Sequence, residues 1–184
     1  MIIIKTKREM EKMIEAGNKL GKIFDLLAPE IKPGRSTAEI DKLAEKYIRE
    51  SGGTPNFSLE DGYKWSVCAS VNSTLIHGIP SKNVILKEGD ILSIDMGNLD
   101  NNGYNGDACR TFAVGNISDE AKRLIRCTEE CFYEAFKVRL DAYAKQTFPI
   151  AEHYAKQNVL GKVDALQSIE EVFADIKKIL LEAK

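Results

Sequence analysis

The sequence has no long hydrophobic run and no cluster of positive charge, and each absence argues against one class of function. Its 184 residues hold 26 Lys and Arg against 28 Asp and Glu, a net charge of -2. Binding to nucleic acid phosphates requires clustered basic residues, so nucleic acid is not an expected partner. No stretch approaches the roughly 18 apolar residues of a membrane-spanning helix. The apolar run at residues 1–4 is too short for a signal peptide. We therefore expect a cytoplasmic protein with no membrane partner.

Cysteine pairs at redox or zinc-finger spacing are absent as well. The four cysteines form no CxxC motif, and we expect them to be reduced thiols. Hydrophobic residues make up 43% of the chain and charged residues 29%, as in an ordinary globular protein. The length is enough for one domain with a hydrophobic core, or for one domain and a short appendage.

The order of predicted elements is two helices, several strands and further helices. The capping-box pairs Thr6/Glu9 and Ser36/Glu39 predict the starts of the first two helices. A third helix follows Ser118, continues through Tyr143 and is broken by Pro149. The predicted strands are residues 67–71, 84–86, 91–96 and 104–114, followed by a short helix after Pro149, a strand at 159–163 and a last helix capped by Ser168 and Glu171. This order predicts an α+β fold with antiparallel strands packed on helices, and a C-terminal helix-strand-helix tail.

Two carboxylates flank one predicted turn. Asp95 lies in the apolar run 91–96, and Asp107 follows the turn residues 100–103 (Asp-Asn-Asn-Gly), which favour a tight hairpin. A carboxylate in an apolar strand is costly unless it is paired or metal-bound. A shared proton, an Arg partner or a divalent cation would stabilise such a pair. In the purely structural alternative, Asp95 caps a turn and Asp107 pairs with Arg110.

Histidine is scarce, and one of the two histidines is well placed for chemistry. His77 ends an apolar segment directly before Gly78 and Pro80. This position suits a ligand or a proton donor, although a single His beside a loop is also common as an ordinary polar residue. His153 lies in a helical stretch, and we assign it no function.

Five motifs in a fixed order carry a family resemblance. They are Val67-Cys68-Ala69-Ser70-Val71-Asn72, His77-Gly78-Ile79-Pro80, Leu86-Lys87-Glu88-Gly89-Asp90, Ser93-Ile94-Asp95-Met96-Gly97 and Gly103-Tyr104-Asn105-Gly106-Asp107-Ala108. Their order and spacing resemble the bacterial type I methionine aminopeptidases. The resemblance runs from the first helix to about residue 136 and covers about the N-terminal half of that family's catalytic domain.

The resemblance implies a fold, an activity and a set of site residues. It implies half of a pita-bread fold over residues 1–136, and removal of the initiator Met from nascent peptides with two divalent metals, Mn, Co, Fe or Zn. By resemblance, Asp95 binds one metal and Asp107 bridges both. His77 meets the scissile amide, and Tyr63 and Cys68 line the pocket for the Met side chain.

The chain departs from the family pattern at the remaining ligands. The family's second half supplies a His, from a Gly-His-Gly motif, and two Glu; this sequence has no such motif, so two carboxylates stand where the family uses five ligands. Asn105 replaces a usual His, and Lys64 a usual Pro. A homodimer that joins two Asp95/Asp107 pairs around a two-fold axis is one way to complete the site. Carboxylates alone favour Mg, Ca or Mn, and the alternative is a chain with no metal.

Residues 137–184 resemble a different family, the C-terminal segment of bacterial adenylate kinases. The motifs are 137–143 (Lys-Val-Arg-Leu-Asp-Ala-Tyr), 160–164 (Leu-Gly-Lys-Val-Asp) and 169–173 (Ile-Glu-Glu-Val-Phe). By resemblance, Arg139 contacts nucleotide phosphates. The sequence has no Gly-rich P-loop with its Lys, so phosphoryl transfer is not expected.

Three hypotheses follow from the sequence. The first is a metalloaminopeptidase, and the second is a non-catalytic α+β domain in which the tail helix buries Ile169, Val172, Phe173, Ile176 and Leu180 as part of the core. The third is a nucleotide-binding fragment that depends on Arg139 alone.

Overall fold

The computed structural model describes residues 5–147, 149–150, 153, 156–157 and 169–182. Its contacts divide the chain into two compact units, residues 8–125 and residues 1–7 with 126–184. The first unit contains both predicted carboxylates and the whole sheet. The domain boundary predicted at residue 136 remains a prediction.

Two helices begin the first unit. Helix α1 is Lys7–Leu27, and α2 is Thr37–Glu50. The predicted capping box at α2 is present, because Ser36 accepts a hydrogen bond from the Glu39 amide while the Glu39 carboxylate accepts one from the Ser36 amide. These contacts satisfy amides that the first turn of a helix otherwise leaves without acceptors.

The sheet has four antiparallel strands arranged around one of them. The strands are β1 (Thr54–Pro55), β2 (Val67–Val71), β3 (Ile91–Leu99) and β4 (Asn105–Ala113). Strand β3 pairs with β4 along one edge and with β2 and β1 along the other. The predicted hairpin joins β3 and β4, with Gly103 at φ 81° in its turn.

One face of the sheet packs on both helices. Alternate β3 residues Leu92, Ile94 and Met96 are fully buried, as the two-residue period of a strand requires. They share a core with α1 and α2 residues, namely Leu20, Ile23, Phe24, Leu27, Ile40, Ala44 and Ile48. Asp95 lies on the other face of the sheet, which takes no part in these core contacts with α1 and α2. The candidate site is on that face.

Two further helices contain the later residues. Helix α3 is Asp119–Ala142, followed by a π-helical turn at Tyr143–Thr147, and α4 is Ile169–Glu182. The α-helix ends at Ala142 and residue 148 lies outside the described residues, so the break predicted at Pro149 remains a prediction. Among the described residues, no helix is long and apolar enough to cross a membrane.

One structural prediction is wrong. Residues 84–86 form no strand: Leu86 exchanges backbone hydrogen bonds with Gly34 and Arg35 in the α1–α2 connection, leaving one isolated bridge at Ile85. The packing of the tail helix on the first part of the chain remains a prediction, because α4 belongs to the other unit. The predicted strand at 159–163 and the cap Ser168 lie outside the described residues.

Candidate functional site

The strand register places both carboxylates on one face of the sheet. Asp95 stands opposite Cys109, and Asp107 stands opposite Gly97 two residues further along β3. Residues opposite each other in an antiparallel pair share a face, as do residues two apart on one strand. Asp95 and Asp107 are therefore diagonal neighbours, a relation that typically separates residues by about 7–8 Å.

The two carboxylates are close enough to interact electrostatically. Burial raises the pKa of this half-buried group above its usual range, and the negative charge of Asp107 raises it further. The charge of His77 acts in the opposite direction. Asp95 is therefore held close to another carboxylate and to the one histidine of the first unit.

The purely structural alternative for these carboxylates is wrong. Arg110 does not pair with Asp107 but with Asp25 of α1, at 2.9 Å, and its guanidinium lies 5.2 Å from the centre of the Phe24 ring. The cause is the strand period, because residues three apart on a strand point to opposite faces. Asp95 lies inside β3 and caps no turn.

The loop that carries His77 is fixed to β2 by its backbone. The Ala69 amide donates a hydrogen bond to the Gly78 carbonyl at 2.7 Å, and the Gly78 amide donates to Ser70 Oγ at 3.1 Å. A Cβ at Gly78 would collide with the Ala69 carbonyl oxygen, so only glycine fits this approach. His77 itself has φ 55° and an exposed side chain. Its position thus depends on backbone contacts and on a strained local conformation.

Tyr63 and Cys68 are in contact beside the carboxylates. The Tyr63 hydroxyl donates to the Val67 carbonyl at 2.7 Å and lies 3.3 Å from Cys68 Sγ. Cys68 is buried and stands opposite Asp95 on β3. Burial, and next the contact with Cys68, raise the pKa of Tyr63 well above its usual value, so the phenol stays protonated.

Aromatic rings that the sequence did not single out extend this wall. Trp65 packs edge-on against Tyr63 with ring centres 5.3 Å apart, and Phe57 also packs edge-on against Tyr63, with ring centres 6.4 Å apart. Asp41 was also not predicted, although it anchors the start of β2 by accepting hydrogen bonds from the Ser66 and Val67 amides. The aromatic residues at 57, 63 and 65 were the available sequence signal, whereas nothing local indicated Asp41.

The residues present do not form a complete metal site. Within the described residues, no group of three or more His, Cys, Asp or Glu side chains is arranged to hold a metal ion. Asp95 and Asp107 supply two carboxylates, whereas divalent cations bound by oxygen typically take about six ligands. An ion at these two residues needs donors from elsewhere.

The remaining predicted site residue lies in the other unit. Arg139 is an exposed residue in the last turn of α3. It belongs to the unit that contains residues 126–184, so we describe it separately from the carboxylate face.

The fold is that of a family of metallopeptidases. The model of metallopeptidase family M24 matches residues 11–172, and the chain belongs to this family. Its architecture is half of the pita-bread fold of the family, with two helices on one face of an antiparallel sheet.

Within the family, methionine aminopeptidases are similar to this chain. The methionine aminopeptidase of Clostridium acetobutylicum is 48% identical over 134 residues, which are 73% of this chain and 53% of that protein. Methionine aminopeptidase 1 of Bacillus subtilis is 47% identical over 137 residues, 74% of this chain and 54% of that protein. The crystal structure of the Rickettsia prowazekii enzyme superimposes with a TM-score of 0.68 at 32% identity, over 71% of this chain and 52% of that one. The chain spans about half the length of these relatives.

Proposed function

We propose that this chain provides the carboxylate-bearing half of a methionine aminopeptidase site, which removes Met from the N-terminus of nascent peptides in the cytoplasm. The observation that carries the proposal is the placement of Asp95 and Asp107 on one sheet face. Within the described residues neither carboxylate has a hydrogen bond or an ion pair, and for the half-buried Asp95 such a position is costly without one.

The chain's own side chains have distinct roles in this proposal. Asp95 and Asp107 supply acceptor oxygens for divalent metal, which is Mn, Co, Fe or Zn by family and Mg or Mn where only carboxylates bind. His77, whose loop is held to β2 through Gly78, hydrogen-bonds the scissile amide in this proposal. Tyr63 and Cys68, extended by Trp65, offer an aromatic and sulfur surface that suits a thioether side chain.

Release of Met from a Met-Ala-initiated peptide tests the proposal. We expect release by the purified chain with Mn²⁺, Co²⁺ or Fe²⁺, and loss of release in Asp107→Ala. Asp25→Ala, which removes a carboxylate 72% exposed on α1, is the matched control and should retain activity. Absence of Met release in all three metals, with no metal retained after gel filtration, contradicts the proposal.

The second candidate is a non-catalytic α+β domain, and the missing third ligand favours it. Under this hypothesis, Asp95→Asn leaves partner binding unchanged and no metal binds at all. Isothermal titration with Mn²⁺ separates the two candidates, because only the first predicts binding that Asp107→Ala abolishes.

Nucleotide binding by the adenylate kinase-like tail ranks last. The family M24 match extends to residue 172, well into the segment 137–184 that carries this resemblance. The hypothesis predicts ATP binding that Arg139→Ala weakens, measured by equilibrium dialysis, and equal retention of ATP by both proteins contradicts it.

A further inference from the structure

The segment that joins α2 to β2 is firmly anchored at its second end. There Asp41 accepts hydrogen bonds from the Ser66 and Val67 amides at 2.7 and 3.2 Å. The first part of the segment, residues 53–60, contains β1 and a 3₁₀ turn at Phe57–Leu59. We call this part the strap. Its contacts with the sheet differ in kind from those of the anchored end.

The backbone contacts between the strap and β3 are weak. Strand β1 is only two residues long, and one of them is Pro55, which has no amide hydrogen to donate to the ladder. Asn56 adds two hydrogen bonds, from its amide to the Gly97 carbonyl and from its side chain to Asn105 Oδ1. Each of them is 3.4 Å long, beyond the range of about 2.7–3.2 Å that is usual for such bonds.

The strap also buries polar atoms that gain no partner. Asn98 on β3 is fully buried, and within the described residues neither its side-chain oxygen nor its side-chain nitrogen has a hydrogen bond. The strap covers this side chain, because a Cβ at Gly53 would collide with Asn98 Oδ1. Asn56 Oδ1 is likewise buried without a donor, and its carboxamide is packed on Gly97. All three atoms therefore lie where the strap meets β3, and such atoms are costly to bury.

We propose that the strap is a gate, which opens away from β3 while the Asp41 anchor keeps the start of β2 in place. The three unpartnered atoms lower the free energy of opening, because water reaches them only in the open state. The turn inside the strap stays intact, since its own backbone hydrogen bonds do not involve β3. Gly62, at φ 84° and with no atom within 4 Å of a Cβ position, is the pivot.

Opening of the gate uncovers part of the aromatic surface beside the carboxylates. Phe57 belongs to the strap and packs edge-on against Tyr63. Tyr63 is tied to the anchored end, because its hydroxyl donates to the Val67 carbonyl. Phe57 therefore leaves with the strap while the Tyr63 ring stays beside Cys68, and the ring becomes available to an apolar side chain of a ligand. That this side chain is the Met of a peptide rests on the proposed function, whereas the motion does not.

Residue-resolved amide hydrogen exchange of the full chain in EDTA tests the gate. After correction for intrinsic rates, we expect the Asn56 amide to exchange at least about tenfold faster than the Val67 amide, because opening of the strap exposes only the first. Asn98→Leu keeps the branching of the side chain and removes its polar atoms, so it should slow exchange at Asn56 by about tenfold. Asn98→Val makes the same test with a smaller side chain. Asn116→Leu, at an exposed asparagine bonded to Glu88, is the matched control and should leave exchange at Asn56 unchanged.

Three results would overturn the gate. Equal protection of the Asn56 and Val67 amides in the wild type would mean that both ends open together. An unchanged rate at Asn56 in both Asn98 variants would mean that the unpartnered atoms do not promote opening. Equal slowing at Asn56 and Val67 would mean that the substitution stabilises the whole unit. None of these results depends on release of Met, so the gate and the proposed function can fail separately.

Discussion

Replacement of Asp95 by Asn should stabilise the metal-free protein at neutral pH. Asp95 has no hydrogen-bond or ion-pair partner among the described residues, and the charge of Asp107 acts on it across the sheet. For charges about 7 Å apart, Coulomb's law gives about 0.6 kcal/mol in water and about 2 kcal/mol at an effective dielectric constant of about 20. We therefore expect the free energy of unfolding in EDTA at neutral pH to increase by about 1 kcal/mol.

The effect of Asp95→Asn on the free energy of unfolding should depend on pH. The folded-state pKa of Asp95 is raised, so wild-type stability is greatest where the group is protonated in both states and falls as pH rises through the folded pKa. The advantage of Asp95→Asn should therefore vanish below about pH 4, near the pKa of an unfolded Asp. Urea denaturation in EDTA at several pH values measures the difference. A loss of stability in Asp95→Asn at neutral pH would refute the reasoning, because it would mean that the carboxylate has a stabilising partner.

Asp100, on the same hairpin, should show the opposite effect of substitution on stability, because its pKa is lowered and not raised. Burial alone would raise its pKa, but hydrogen bonds from Asn102 and Tyr104, with Lys19 nearby, lower the pKa to about 2. Its ionised form therefore stabilises the fold above the unfolded-state pKa, and this contribution is lost as pH falls through about 2. Asp100→Asn should cost about 1–2 kcal/mol at neutral pH, and progressively less in acid.

Three shorter predictions concern the surrounding residues. Gly78→Ala should lower the free energy of unfolding by about 1–3 kcal/mol, because its methyl group collides with β2, and unchanged thermal unfolding would contradict this. Tyr63→Phe should lower the free energy of unfolding by about 1 kcal/mol, because the hydrogen bond to the Val67 carbonyl is lost. A urea midpoint equal to that of the wild type would show that this hydrogen bond contributes nothing to stability. Desolvation, and next the charge of Asp95, raise the pKa of the Cys109 thiol. Cys109 and Cys131 are both exposed, so Cys109 should react more slowly than Cys131 with iodoacetamide at pH 8, as peptide mass spectrometry of the labelled protein can measure. Equal rates would be evidence against the acidic surroundings of Cys109.

Local sequence patterns predicted the β3–β4 hairpin correctly, and with it the placement of the carboxylates. The turn at residues 100–103 fixes the pairing, and the two-residue alternation of β3 fixes which side chains are buried. The same alternation excludes an Asp107–Arg110 pair, because the two positions differ by an odd number.

Features that depend on distant contacts were not predictable in the same way. Residues 84–86 have the composition of a strand, but their backbone partners lie in the α1–α2 connection, fifty residues earlier in the chain. The positive φ of His77 follows from the close approach of Gly78 to β2, which no local pattern specifies. The roles of the site residues themselves remain predictions.

The central position of β3 has a consequence for how the protein opens. Each described strand of the sheet pairs with β3, so β3 cannot detach without dissolving every ladder at once. Its amide hydrogens should therefore exchange with solvent only through the largest unfolding event of the unit, while the outer side of β4 exchanges through small local fluctuations. Asp95 is thus carried by a strand paired along both edges, and Asp107 by a strand paired with β3 alone among the described residues, so we expect less backbone motion at Asp95 than at Asp107.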